Sequence, residues 1–120
     1  MGHNKPMITG AHSLIYSSDP DATRAFFRDV LEFPYVDSGD NWLIFALPPG
    51  EFGVHPGQAG GSDLYLMCDD IDKTIAELTG KGVEFDGGIV EEPWGRLVGV
   101  RVPGAGTLGL YQPKHPIAPH

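Results

Sequence analysis

The sequence predicts an α+β fold made of two βαβββ modules, whose curved mixed sheets come together around a cavity. Residues 12–34 align with residues 63–85 as an internal repeat, in the order apolar strand, acidic turn and amphipathic helix. Each half then continues with three short apolar segments that glycine and proline separate. The 17 glycines and 11 prolines in 120 residues fit many short elements, while a hydrophobic fraction of 41% is sufficient for a core.

The repeat divides the chain into a first module at residues 7–57, a second module at residues 63–113 and a loose tail at residues 114–120. A module of roughly 50 residues has too little interior to be stable alone. One face of each sheet is covered by the module's own helix, so the other face must meet the second module or another chain. The glycine-rich linker between the modules permits either pairing. Two sheets that face each other in this way enclose a natural ligand site.

The first module is predicted to contain one strand, one helix and then three strands. Apolar and polar residues alternate over residues 9–17, which predicts a strand. Asp19 is a suitable N-cap and Pro20 a suitable first residue for a helix that ends near Leu31. Three short strands are expected after it, at residues 34–37, 42–47 and 51–55.

The second module repeats this plan. A strand at residues 63–69 precedes a helix that Asp70 caps and that Gly80 and Gly82 end. The remaining strands are expected at residues 83–86, 97–102 and 107–112. Because side chains alternate along a strand, one set faces the cavity and the other packs under the helices.

Charge and cysteine content narrow the partners and the compartment. Sixteen acidic residues against eight basic ones give a net charge of −8, and the basic residues form no cluster. Such a surface repels nucleic acid and anionic membranes, so neither is expected as a partner. No apolar stretch approaches the roughly 20 residues that span a bilayer. The single cysteine, Cys68, allows no internal disulfide, and we therefore expect a cytoplasmic protein.

Four segments also point to a known family. They are Ala-Phe-Phe-Arg-Asp-Val-Leu at 25–31, Trp-Leu-Ile-Phe-Ala-Leu-Pro-Pro at 42–49, Leu-Tyr-Leu-Met-Cys-Asp-Asp-Ile-Asp at 64–72 and Gly-Leu-Tyr-Gln-Pro at 109–113. In this order, within a paired βαβββ repeat, the chain resembles the vicinal oxygen chelate superfamily of glyoxalases, bleomycin-resistance proteins and dioxygenases. The resemblance implies a glyoxalase/bleomycin-resistance-like fold and a homodimer. One departure is Glu32, which stands where the resemblance suggests a helix-ending glycine.

In metal-dependent members of that superfamily, four cavity-facing positions hold the metal. The resemblance places two of these positions on His12 and Asp63, and the other two on Gly53 and Gly109, which have no ligating side chain. His55 lies two residues beyond Gly53 and therefore on the same strand face. His12, His55 and Asp63 are thus candidates for a displaced site that holds Fe, Mn, Zn or Ni. We expect no cofactor, with such a divalent metal as the alternative.

The cavity-facing phase of the strands also predicts which residues bind a ligand: Tyr16, Trp42, Ile44, Tyr65, Met67, Arg101 and Tyr111. Aromatic rings stack on planar or cationic molecules, and Arg101 could pair with an acidic group of the ligand. Tyr111 is the candidate catalytic residue, since a phenol can orient a substrate or act as an acid. The simpler alternatives are a surface ion pair for Arg101 and core packing for Tyr111. Trp94 lies on the loop before a cavity strand and could form a lid, cover the core edge or make a dimer contact.

Three functions remain open from the sequence. The glycines at positions 53 and 109 favour a protein that binds a small, planar or cationic molecule in a largely apolar cavity without performing chemistry. The second function is a metal-dependent lyase or dioxygenase that uses the displaced histidine and aspartate site. The third is a regulatory module with a vestigial cavity.

Overall fold

The computed structural model describes residues 12–53, 56, 59 and 63–118. None of the helices in these residues is long and apolar enough to cross a membrane. The helical elements are α1 (Pro20–Ala25), which continues directly into a π-helical segment (Phe26–Val30), and α2 (Ile71–Gly80). The strands are β1 (Tyr35–Asp37), β2 (Leu43–Phe45), β3 (Tyr65–Met67), β4 (Phe85–Glu92), β5 (Gly95–Val102) and β6 (Gly106–Pro113).

The second half of the chain forms a four-stranded sheet in the order β3-β6-β5-β4. Strand β3 runs parallel to β6, whereas β5 is antiparallel to both of its neighbours. The connection from β3 passes through α2, because a parallel pair requires a crossover. The chain order is therefore the predicted strand, helix and three strands. Together with the two-stranded antiparallel sheet of β1 and β2, it confirms an α+β fold with mixed sheets.

The hydrophobic core lies between the helical segments and one face of the four-stranded sheet. Ile71, the first residue of α2, is fully buried. Alternate residues of β5 point into the same core, where they meet side chains of the π-helical segment. The buried cluster consists of Phe26, Phe27, Ile71, Val83, Val98, Val100, Val102 and Leu110. The prediction that this strand phase packs under the helices is confirmed.

Both predicted N-caps are present. The Asp19 carboxylate accepts a hydrogen bond from the backbone N–H of Ala22 at 3.3 Å, and the Asp70 carboxylate accepts one from Lys73 at 3.1 Å. Each bond satisfies a backbone donor that has no partner within its helix. The internal repeat is thus visible at the start of both helices.

The first half differs from the sequence prediction. Residues 12–17, expected within a strand at 9–17, are not a strand, and neither are residues 51–53 of the expected strand at 51–55. In the second half the corresponding strands, β3 and β6, bond to each other. A strand needs such a neighbour to satisfy its backbone groups. Leu14, Tyr16 and Phe52 are 68%, 85% and 92% exposed, so these segments have no sheet to pack against in the described part of the chain.

Contacts between the first half and the β5–β6 turn centre on Thr23, which is buried. Its hydroxyl donates to the backbone oxygen of Pro103 at 2.5 Å and lies 2.7 Å from the hydroxyl of Ser17. The backbone N–H of Ser18 donates to the oxygen of Gly104 at 2.9 Å. These bonds hold the start of α1 against the second half.

A groove lined by aromatic side chains

The face of the four-stranded sheet opposite the core carries several side chains that were predicted to face a cavity. Across β3 and β6, Tyr65 pairs with Gly109 and Met67 pairs with Tyr111. Across β5 and β6, Leu97 also pairs with Tyr111. Directly paired residues point to the same face. Tyr65, Met67 and Tyr111, three of the predicted ligand-binding residues, are therefore neighbours on one surface.

Three aromatic rings on this face pack together, and we call Tyr65, Trp94 and Tyr111 the aromatic cluster. The ring centroids are 6.1 Å apart for Tyr65 and Trp94, 5.8 Å for Tyr65 and Tyr111, and 5.3 Å for Trp94 and Tyr111. All three contacts are edge-to-face, with interplanar angles of 70–84°. Such pairs are more favourable than their buried area alone accounts for. Trp94 reaches the cluster from the tight turn that joins β4 to β5.

Two glycines lie beneath the aromatic cluster. A Cβ atom at Gly109 would collide with the ring of Tyr65, and one at Gly95 would lie 2.7 Å from the backbone oxygen of Gln112 and 2.9 Å from Cδ2 of Tyr111. Both positions therefore exclude side chains so that the rings can lie against the sheet. The ring of Tyr65 fills the space that glycine leaves at position 109.

The residues after β6 fold back onto the aromatic cluster. His115 Nε2 lies 3.2 Å from the hydroxyl of Tyr111, and the two rings have centroids 5.9 Å apart. Lys114 fixes this segment, since its backbone N–H donates to the oxygen of Trp94 at 2.9 Å and its ammonium group contacts Glu91 at 3.2 Å. Lys114 and His115, the first residues of the predicted tail, therefore contact the sheet. No periodic pattern surrounds His115, which lies between Pro113 and Pro116, so its contact with Tyr111 could not be predicted from the sequence.

The aromatic cluster forms part of the wall of a groove of about 1480 Å³. Pockets that hold drug-sized molecules usually have volumes of about 300–1,000 Å³, so the groove is large enough for such a molecule. Pro48, Pro49 and Phe52 line it from the first half, and Ile117 lines it from the tail. The wall is thus mainly apolar and aromatic.

A few polar groups lie among these apolar side chains. Glu51 and Asp63 line the groove, and both are exposed carboxylates. Burial raises the pKa of the Tyr111 hydroxyl above its ordinary value, and the charge of Glu51 raises it further. Burial likewise raises the pKa of the Cys68 thiol at the edge of the groove. Tyr111 is therefore a neutral phenol at physiological pH, and the Cys68 thiol is a poor nucleophile.

The other predicted ligand-binding residues lie outside this groove. Tyr16 is 85% and Trp42 is 64% exposed, and the guanidinium of Arg24 lies 5.8 Å from the Trp42 ring. Ile44 is exposed on the two-stranded sheet. They are separated from the groove because the first half does not form the complete sheet that would bring these positions into a shared cavity.

Arg101 lies at the other end of the same sheet face, where it forms the surface ion pair given as its simpler alternative. Its Nε donates to Asp86 at 2.5 Å, and its Nη1 is 3.9 Å from Glu84. Thr107 also donates to Asp86. Arg101 lines a smaller pocket of about 620 Å³ near the β5–β6 turn. Its charge is therefore neutralised away from the aromatic cluster.

The described residues do not fit the four-ligand metal site that the resemblance implies. The ring of Tyr65 occupies the position of a side chain at Gly109. His12 is exposed on a segment that forms no strand, so nothing brings it to the sheet face, while Asp63 lines the groove. Within residues 12–53, 56, 59 and 63–118, no three His, Cys, Asp or Glu side chains are grouped to hold one metal ion. His55 lies outside the described residues.

Comparison with solved structures identifies several similar folds. An antibiotic-binding protein from Streptomyces sp. CB03234 is 29% identical, with 83% of this chain and 91% of that chain covered and a TM-score of 0.60. A glyoxalase/bleomycin resistance protein/dioxygenase superfamily member from Sphaerobacter thermophilus is 25% identical, with coverages of 89% and 99% and a TM-score of 0.63. Lactoylglutathione lyase from Agrobacterium tumefaciens, at 16% identity, coverages of 89% and 96% and a TM-score of 0.63, shows similarity of fold alone.

Comparison with curated proteins found no match. A family profile gives the assignment instead: the profile described as Glyoxalase/Bleomycin resistance protein/Dioxygenase superfamily matches residues 10–108. This range contains both helices and most of the four-stranded sheet. The chain therefore belongs to the glyoxalase/bleomycin resistance protein/dioxygenase superfamily, as its four sequence segments indicated.

Proposed function

We propose that this protein binds a small, planar or cationic organic molecule in the groove beside the aromatic cluster, without performing chemistry on it. The observation that carries the proposal is the seating of Tyr65 on Gly109. At the position where metal-dependent relatives would carry a ligand side chain, this chain has a glycine covered by an aromatic ring. Glycine at position 109 thus provides no metal-binding side chain and leaves room for the aromatic ring of Tyr65.

The charge and chemistry of the groove favour a flat or positively charged ligand. Aromatic faces attract cations, and aromatic faces and edges both attract other aromatic systems. Glu51 and Asp63 add negative charge at the groove, and the whole chain carries a net charge of −8. This field attracts cations and repels anions. The similarity to an antibiotic-binding protein at 29% identity supports binding of a drug-like molecule.

We also propose that the protein acts in the cytoplasm as a homodimer in which a second copy covers the exposed segments of the first half. Leu14, Tyr16 and Phe52 are the apolar side chains that a partner would bury.

The dimer is tested by light scattering coupled to size-exclusion chromatography. We expect a mass twice the chain mass of 12.9 kDa for the wild type and a shift toward a single chain for Phe52→Asp. Val36→Asp is the control for the added charge. It places the same charge on another exposed apolar residue of the first half, since Val36 of β1 is 64% exposed. A wild-type protein with the mass of one chain would contradict the dimer.

Ligand binding is tested by titrating three planar probes while following tryptophan fluorescence and thermal stability. Proflavine is cationic, 2-naphthol is neutral and 2-naphthalenesulfonate is anionic. We expect affinity to fall in that order, and a probe at 100 times its dissociation constant to stabilise the protein by about 2.7 kcal/mol. If none of the three stabilises the protein, the proposed function is wrong.

The metal-dependent alternative is tested on the same preparation. If the proposed binding function is correct, protein purified without chelator should contain well under one equivalent of Fe, Mn, Zn or Ni by elemental mass spectrometry. A nearly stoichiometric metal that is lost in His12→Ala would favour the lyase or dioxygenase function. Binding of the cationic probe without such a metal would support the proposed function.

A further inference from the structure

The segment after β6 adds a hydrogen-bonded pair to the groove. Tyr111 is buried, and its hydroxyl lies 3.2 Å from His115 Nε2. Both residues line the groove, and their rings also stack at a tilt of 37°. The proposed function uses the ring of Tyr111 but gives no role to this hydrogen bond or to His115.

The direction of the hydrogen bond follows from the second nitrogen of His115. Nδ1 lies 2.8 Å from the backbone oxygen of Pro116. A carbonyl oxygen can only accept, so Nδ1 must carry the hydrogen. In a neutral imidazole Nε2 is then an acceptor, and the Tyr111 hydroxyl donates to it. The Tyr111 hydroxyl therefore uses its one hydrogen in the bond to His115 and has none left to donate to a ligand.

We propose that the Tyr111–His115 pair sets the hydrogen-bonding preference of the groove, so that it selects ligands presenting a donor to Tyr111. While His115 is neutral, the Tyr111 oxygen has only acceptor capacity left. A ligand hydroxyl, amine or ammonium group can donate to it, whereas an ether or carbonyl cannot bond there. The inference rests on the proposed binding function and specifies the polar group that its ligand carries.

The charged and titratable groups around the pair are compatible with this role. Tyr65 packs on Tyr111 from β3, and the charge of Glu51 acts on Tyr111 from the first half. Asp63 lines the same groove, and Lys114, which adjoins His115, is bonded to Glu91 on β4.

Two probes with the same ring system test the preference. 2-Naphthol offers a hydroxyl donor, and 2-methoxynaphthalene offers only an acceptor. The dissociation constant of 2-methoxynaphthalene divided by that of 2-naphthol should be about fivefold larger in the wild type than in His115→Phe. This factor corresponds to one neutral hydrogen bond. Tyr111→Phe should lose the preference to the same extent. His115→Gln, whose amide oxygen can accept in place of Nε2, should keep it within about twofold.

A ligand-free measurement keeps this inference separate from the proposed function. Long-range ¹⁵N–¹H correlation spectra at pH 8 report which imidazole nitrogen carries hydrogen, and the signals missing from His115→Gln assign His115. We expect hydrogen on Nδ1 and a bare Nε2. Hydrogen on Nε2, or an unchanged probe ratio in His115→Phe, overturns the inference. If neither probe binds the wild type, the proposed function fails, and with it the ligand preference, even where the tautomer is as expected.

Discussion

The ring of Tyr65 lies against the backbone of Gly109, its directly paired neighbour on β6. A Cβ atom at residue 109 would be 2.6 Å from Cε1 of Tyr65, closer than such atoms approach in proteins. Glycine is required here by the neighbouring side chain. The backbone does not require it, because Gly109 is not among the glycines with positive φ. The two residues thus form one unit of the sheet.

Replacing Gly109 by alanine should destabilise the protein by about 1–3 kcal/mol, because the added methyl group displaces the Tyr65 ring from a packed cluster. Urea unfolding measures the change. Gly88→Ala is the matched control, since a Cβ there meets nothing within 4 Å. In a Tyr65→Ala background, the Gly109→Ala change should cost much less. Equal effects of the two alanine substitutions in the wild-type background would show that Tyr65 does not constrain Gly109.

Trp94→Ala should weaken proflavine binding by about two- to twelvefold, because it removes one of the three rings beside the groove. Stacking on an aromatic side chain contributes roughly 0.5–1.5 kcal/mol beyond its buried area. Trp42→Ala is the control, since Trp42 is 64% exposed and does not line the groove. Isothermal titration of both variants measures the difference. Equal losses in the two variants would place the ligand elsewhere.

The second half could be predicted from the sequence because its signals are local. Asp70 caps α2, and alternation along β3, β5 and β6 separates the core face from the face that carries the aromatic cluster. The strands expected at residues 9–17 and 51–55 carry similar local patterns. Their formation depends on a partner strand, and no local pattern encodes where that partner comes from.

The groove was only partly predictable for a related reason. Tyr65, Met67 and Tyr111 follow from strand phase, which the sequence shows directly. Trp94 joins them because the turn between β4 and β5 is tight, and His115 joins because the chain reverses after β6. Both contacts are set by the tertiary path of the backbone. A sequence pattern of period two cannot encode them.

Glu32→Gly should stabilise the protein by about 0.5–1 kcal/mol, because Glu32 has a left-handed backbone conformation that costs a side-chain-bearing residue more than glycine. Its φ is 58°, just after the π-helical segment. The ion pair that is lost, with Lys81 at 3.4 Å, is exposed and contributes little. Glu32→Ala removes the same ion pair without relieving the backbone, so it should not stabilise. Thermal or urea unfolding of both variants measures these changes in stability.

Thr23→Val should cost about 1–3 kcal/mol, because it leaves the Pro103 carbonyl without its buried donor. Thr74 is the matching residue of the repeat and provides the control. The Thr74 hydroxyl donates to the backbone oxygen of Asp70, within its own helix, whereas the Thr23 hydroxyl donates to Pro103 and so connects the two halves. Thr74→Val should therefore destabilise much less in urea unfolding. Similar losses would mean that the bond to Pro103 contributes no stability.

Asp86 should make the stability of the protein depend on acid pH. The hydrogen bond from Thr107, followed by that from Arg101, holds the pKa of Asp86 below its ordinary value of 3.8. A carboxylate whose pKa is lowered by folding stabilises the protein above the unfolded pKa, and this contribution is lost as pH falls through the folded pKa.

Asp86→Asn should therefore lower the urea midpoint at neutral pH. The difference from the wild type should shrink as pH falls below about 4 and vanish once Asp86 is protonated in the folded protein. In an Arg101→Gln background, where only the Thr107 bond remains, the same substitution should have a smaller effect at neutral pH. A difference that stays constant from neutral pH to pH 2 would show that the charge of Asp86 contributes nothing to stability.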